Sequence, residues 1–130
     1  MYGDAAFTQS GKLYGQVNSK IVDIDLNDGT YSDLSNENAD VGTRYDDMFH
    51  IVGEDTIIVA GASKIIVSLD GMKSIHSQYE AENSSEIIST FVTNNKIYVL
   101  QKKGLKVSED FGLSWKELIP DLNVLDENLV

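Results

Sequence analysis

Ser108-Glu109-Asp110-Phe111-Gly112-Leu113-Ser114-Trp115 reads S-x-D-x-G-x-S/T-W, and it is the clearest of three copies of one pattern. It follows two apolar segments, Lys96-Ile97-Tyr98-Val99-Leu100 and Gly104-Leu105-Lys106-Val107. Upstream, Thr56-Ile57-Ile58-Val59-Ala60 and Lys64-Ile65-Ile66-Val67 lead in the same way into Ser68-Leu69-Asp70, Gly71 and Ser74-Ile75. Farther upstream, Lys12-Leu13-Tyr14-Gly15-Gln16-Val17 and Lys20-Ile21-Val22-Asp23-Ile24 lead into Asp25, the Asp28-Gly29 turn and Tyr31. Asp25, Asp70 and Asp110 hold one place in the three copies, 45 and 40 residues apart. Such a repeat decides architecture before any single residue does, because each copy is one supersecondary unit that cannot bury its apolar face alone.

Each copy divides into four short strands. The first copy predicts strands at 5–9, 12–17, 20–25 and 30–34, and the second at 48–52, 56–60, 64–69 and 74–79. The third predicts strands at 86–92, 96–101, 105–109 and 114–119. The breaks between them carry Ser10-Gly11, Asn18-Ser19, Gly53-Glu54, Gly61-Ala62-Ser63, Asn94-Asn95 and Lys103-Gly104, residues that accept the positive φ of tight turns. Ile57-Ile58-Val59 and Ile65-Ile66-Val67 are continuous β-branched runs, which suit a sheet covered on both faces. No window keeps a helical period, and the single proline, Pro120, follows the last strand. The expected fold is all-β: three four-stranded antiparallel blades at about 5–35, 47–79 and 86–120 in one domain over 1–120, with a tail at 121–130.

The stretch from Ser108 to Trp115 resembles the Asp-box, or bacterial neuraminidase repeat, of β-propellers. The resemblance implies a turn between the third and fourth strands of a blade, at its periphery and with a structural role. Its local physics is simple: an Asp carboxylate accepts turn N–H groups, Gly supplies an unusual φ, and the aromatic packs on the blade. Ser108, Asp110, Gly112, Ser114 and Trp115 match the motif. In the second copy Ser68, Asp70 and Ser74 match, the Gly moves one place earlier to Gly71, Met72 takes its position, and Ile75 replaces the Trp. The first copy keeps Asp25 and the aromatic Tyr31 with one extra residue in the turn.

The chain has 130 residues, of which 21 are acidic and 10 basic, for a net charge of -11. That surface repels phosphate backbones and anionic lipid, so neither nucleic acid nor membrane is an expected partner. Cysteine is absent, which removes disulfides and thiolate metal sites. Met1-Tyr2-Gly3-Asp4 has neither the basic start nor the apolar core of a signal peptide, so the expected compartment at synthesis is the cytoplasm. No apolar run approaches the ~20 residues of a membrane helix.

Catalysis finds little support. The sialidases that the resemblance brings with it need an arginine triad to clamp a carboxylate, and this chain has one arginine, Arg44. Asp46-Asp47 and Glu54-Asp55 are read as solvated loop charges, and His50 and His76 as packed or surface histidines. Asp23, Asp25 and Asp28 lack the ligand spacing and closing Glu of a calcium loop. No catalytic, metal or cofactor residue is assigned. Among aromatics placed to stack a sugar, Tyr45 and Tyr79 fall near inter-blade segments, while Phe111 and Trp115 belong to the box.

Three blades cannot close a propeller, which takes four to eight. The open ends call for a partner. The first expectation is a homodimer that makes one six-bladed ring, cyclic dimers being the commonest assembly. The alternatives are completion by a different protein chain and a twelve-strand sandwich. The expected function is a non-catalytic binding or structural module, with a phage virion part (tail, nozzle or fibre) as the fold-level association. The alternative is an oligomeric lectin that binds a glycan, and then a glycosidase-like enzyme.

Overall fold

The computed structural model describes residues 3–8, 10–17, 20–34, 49–82 and 85–120. Twelve strands run through them without a helix. The first four are β1 (Gly3–Phe7), β2 (Leu13–Val17), β3 (Lys20–Ile24) and β4 (Tyr31–Asp33). Next come β5 (Phe49–Val52), β6 (Thr56–Ala60), β7 (Lys64–Ser68) and β8 (Ser77–Glu80). The last are β9 (Ile87–Thr93), β10 (Lys96–Gln101), β11 (Gly104–Ser108) and β12 (Lys116–Ile119). They form three four-stranded sheets in plain chain order, β1-β2-β3-β4, β5-β6-β7-β8 and β9-β10-β11-β12, with every pairing antiparallel. The expected all-β class and the three fourfold units hold, and the strands are divided among three sheets rather than the two of a sandwich.

Departures of two or three residues lie at β1, which spans Gly3–Phe7 rather than 5–9, and at β8 and β12, which begin late. Ser74 and Ser114 sit in the preceding turns, where an aspartate carboxylate takes their N–H groups at 2.9 Å. Those N–H groups are spent locally and enter no ladder. The apparent strand start at Ser114-Trp115 is therefore the end of a turn. A second irregularity is a shift of register between Leu100 and Gln101 on β10, which the even alternation of the sequence does not announce.

Two cores hold the sheets together. Between the first and second sheets lie Tyr14, Ile21, Phe49, Ile57, Val59, Ile66 and Met72. Between the second and third lie Ile58, Ala60, Ile65, Val67, Ile87, Ile97 and Val99, with half-buried Tyr79, Phe111 and Trp115 against them. The alternation of a strand explains the split: Ile57 and Val59 face one way, Ile58 and Ala60 the other. The continuous apolar runs of β6 and β7 thus supply both cores, as the sequence predicts for a sheet covered twice. Each isoleucine so enclosed contributes about 1.5–3 kcal/mol of burial.

Candidate functional site

The turn from Ser68 to Ile75 and the turn from Ser108 to Trp115 have one geometry. In the earlier turn Ser68 Oγ accepts the Met72 N–H at 2.9 Å and donates to Asp70 Oδ1 at 2.9 Å. Asp70 then accepts the Ser74 N–H at 2.9 Å and the Ser74 hydroxyl at 2.6 Å. In the later turn the corresponding distances are 2.7, 2.8, 2.9 and 2.5 Å, through Gly112, Ser108, Asp110 and Ser114. Both turns place two successive residues in the left-handed region: Gly71 (φ 70°) with Met72 (φ 73°), and Phe111 (φ 54°) with Gly112 (φ 91°). One glycine in either place relieves half of that strain. The displaced Gly71 is therefore a second solution to the same backbone.

The first sheet turns differently. Asp25 Oδ1 accepts the Asn27 N–H at 2.8 Å, and the Asp25 carbonyl accepts the Gly29 N–H at 2.9 Å. Asp28, not Asp25, takes the neighbouring hydroxyl, accepting both the N–H and the Oγ1 hydroxyl of Thr30 at 2.9 and 2.6 Å. Asp25 holds the sequence position of Asp70 and Asp110 without their full set of bonds.

These bonds set the electrostatics. The Ser114 hydroxyl, then its N–H and the Ser108 hydroxyl, hold the Asp110 carboxyl down at about 2. Ser74 lowers Asp70 in the same way, and Thr30 lowers Asp28. Each carboxylate is committed to its own turn, and what it does chemically is cap backbone.

Polar bridges join the sheets beside these turns. At the first junction Lys12 Nζ contacts Asp55 at 3.0 Å, and Glu54 accepts the Ser10 N–H at 2.9 Å. The bond to Asp55 raises Lys12, and the Ser10 hydroxyl lowers Glu54. At the second junction the Ser77 hydroxyl donates to the Phe111 carbonyl at 2.7 Å. His50 Nε2 meets Thr90 Oγ1 at 2.8 Å and His76 Nε2 meets the Asp110 carbonyl at 3.3 Å, so both histidines pack between the second and third sheets.

Tyr79 lies inside that second junction. Its hydroxyl donates to Gln101 Oε1 at 3.0 Å and accepts from Lys106 Nζ at 3.1 Å, and Gln101 Nε2 donates to the Ser85 carbonyl at 2.8 Å. Its ring lies 5.1 Å from that of Trp115, tilted by 48°. Tyr79 and Lys106 line a cleft of about 160 Å³ with Glu82, Lys103 and Glu117. The ring that the sequence offers for sugar stacking thus packs at a tilt on Trp115, and its hydroxyl bonds Gln101 and Lys106. Tyr45, the other candidate, lies outside the described residues, as do Arg44 and Asp46. A second hollow, of about 560 Å³, lies beside the first-sheet turn and is lined by Asp23, Asp25, Leu26 and Tyr31. Neither the Tyr79–Gln101–Lys106 bridge nor the exposure of Tyr31 is visible in sequence, because spacing does not say which strands face each other across sheets. Among the described residues no three His, Cys, Asp or Glu side chains converge to hold a metal.

No family model matches the chain. No curated protein matches it. Among solved structures it is similar to the extracellular domain of a hybrid two component system from B. thetaiotaomicron, with a TM-score of 0.65 and 14% sequence identity. The likeness covers 88% of this chain and 16% of that one, and at this identity it speaks for the fold alone.

Proposed function

We propose that the chain is a non-catalytic, Asp-box type β-propeller module whose three blades form half of a six-bladed ring, and that it serves as a structural or binding part of a larger assembly such as a phage virion. The observation that carries this reading is the turn built twice with the same bonds. Its serines and aspartates are spent on backbone, which is the work of a scaffold.

Electron microscopy of the purified protein tests this. Six-lobed rings containing two chains are expected. A monodisperse population of single three-lobed particles would overturn the ring. Turnover of a glycoside substrate panel by the purified protein would overturn the non-catalytic part.

A further inference from the structure

The exposed large hydrophobic side chains of the described residues are not spread evenly. Phe7, Leu26 and Tyr31 belong to the first sheet or its turn, and Ile88, Phe91, Leu113 and Leu118 to the third; the second has only Leu69. The end sheets carry apolar rows on the faces turned away from the second sheet. On the first, Tyr14 and Ile21 pack inward, so the row Phe7–Leu13–Ile24–Tyr31, matched partner to partner across all four strands, faces outward. On the third, Ile97 and Val99 pack inward, so Phe91, Tyr98 and Val107 in one row and Leu100, Leu105 and Ile119 in the next lie on the opposite face, with Phe91 exposed and Val107 itself buried.

The outward positions of the third sheet correspond to the contact positions of the second. Ile57 pairs with Ser68, and Ile97 with Ser108, which aligns the two sheets. Ile58, Ala60, Ile65 and Val67, by which the second sheet packs on the third, then correspond to Tyr98, Leu100, Leu105 and Val107. The third sheet thus carries the same kind of apolar side chains on a face that no sheet of the described residues covers. The outward row of the first sheet lies on the face opposite Tyr14 and Ile21, by which the first sheet packs on the second.

Charge fits the same pairing. The segment 86–120 carries five lysines against four carboxylates, whereas 3–34 carries five aspartates against two lysines. Val67 pairs with Ser77 and Val107 with Lys116, so Lys116 holds the place of the serine that bonds the next sheet's turn. In the first sheet that turn is Asp25 to Gly29, with two aspartates and the 560 Å³ hollow beside it.

We infer that the outer face of the third sheet docks on the outer face of the first sheet of a second copy of this chain, head to tail, with Lys116 directed at the Asp25–Asp28 turn. This rests on the assembled-ring reading above and adds which surfaces meet.

The test uses Phe7→Asp and Phe91→Asp, at residues 62% and 51% exposed, so that the cores are spared. Light scattering after size exclusion should give the wild type about twice the 14.3 kDa chain. Each variant alone should run as a folded monomer with unchanged Trp115 fluorescence. An equimolar mixture should recover a two-chain species, because one partner keeps an intact third sheet and the other an intact first sheet. If either variant loses its near-ultraviolet circular dichroism, Tyr31→Asp or Lys116→Glu replaces it on the same face. A monomeric wild type overturns both this inference and the ring. A wild-type oligomer that survives both substitutions, or yields to only one of them, overturns the face assignment and leaves assembly standing. So does a mixture that stays monomeric when each variant has dissociated.

Discussion

An alanine at Gly112 would place its Cβ 2.5 Å from Ser77 Oγ and 3.4 Å from Val67, at a φ of 91°. Gly29 has a similar φ of 74° but nothing within 4 Å of that position. Gly29→Ala should therefore cost about 1 kcal/mol for backbone strain alone. Gly112→Ala should cost about 2–4 kcal/mol, since the Ser77 bridge must also yield. Urea denaturation of the two variants decides this, and equal losses would remove the steric part of the argument. Met72 shows the balance from the other side. It sits at φ 73° yet is buried in the first core. The left-handed cost of about 1–2 kcal/mol is offset by about 1.5–3 kcal/mol of burial. Asp110 gives a pH dependence of known sign. Its folded pKa, about 2, lies below its ordinary 3.8, so the unfolded chain binds more protons between them. The contribution of Asp110 is complete above about pH 4 and is lost as pH falls through about 2. Asp110→Asn should flatten stability across that window in acid titrations followed by Trp115 fluorescence, and an unchanged acid limb would show that the carboxylate does not carry it.

At the scale of the element, the turn is the unit that sequence reads well in one copy and poorly in another. Ser68 and Ser108 each accept an N–H from four residues ahead, from Met72 and Gly112, both of them buried. Ser68→Ala and Ser108→Ala each leave that N–H without its partner, at about 1–3 kcal/mol. Thermal melts should show losses of similar size, although only the Ser108 turn matches the full pattern. A neutral Ser68→Ala would mean that the two turns are alike in shape and not in energy. Ser68, Asp70, Ser74 and their counterparts were legible because a hydroxyl or carboxylate bonds backbone close by in sequence. Gly71 looked displaced because the letters record where the glycine is, whereas the backbone needs two left-handed residues and accepts glycine at either. The shift at Leu100 and Gln101 and the bridge from Tyr79 to Lys106 depend on contacts across strands and sheets, which spacing does not encode. The first-sheet turn shared an aspartate position with the others, yet its extra residue lets Asp28 reach Thr30 and leaves Asp25 with the Asn27 N–H.

The whole molecule is graded from the inside out, because one sheet serves two cores. Strands β6 and β7 bury nearly every residue, Ile57 to Ala60 and Ile65 to Ser68, whereas β4 is exposed throughout and β12 nearly so. Removing either end sheet uncovers one face of the second sheet, but disrupting the second removes both cores at once. Local opening should follow that order. Hydrogen exchange on dilute protein should find the slowest amides in β6 and β7 and the fastest in β4 and β12, with β2 and β10 between. Ile58→Ala, which hollows the second core by about 2–5 kcal/mol, should speed exchange in the second and third sheets before the first. The outer rows add a dependence on concentration. If Phe91, Tyr98 and Leu105 meet Phe7, Leu13 and Tyr31 of another copy, protection in β9, β11, β1 and β3 should rise as the protein is concentrated, by mass action on the folded partner. Protection in β6 and β7, already enclosed on both faces, should rise only as far as global unfolding limits it. A flat concentration profile at the end sheets, with the gradient from the centre intact, would leave the three-sheet stack in place and remove the second copy from its outer faces.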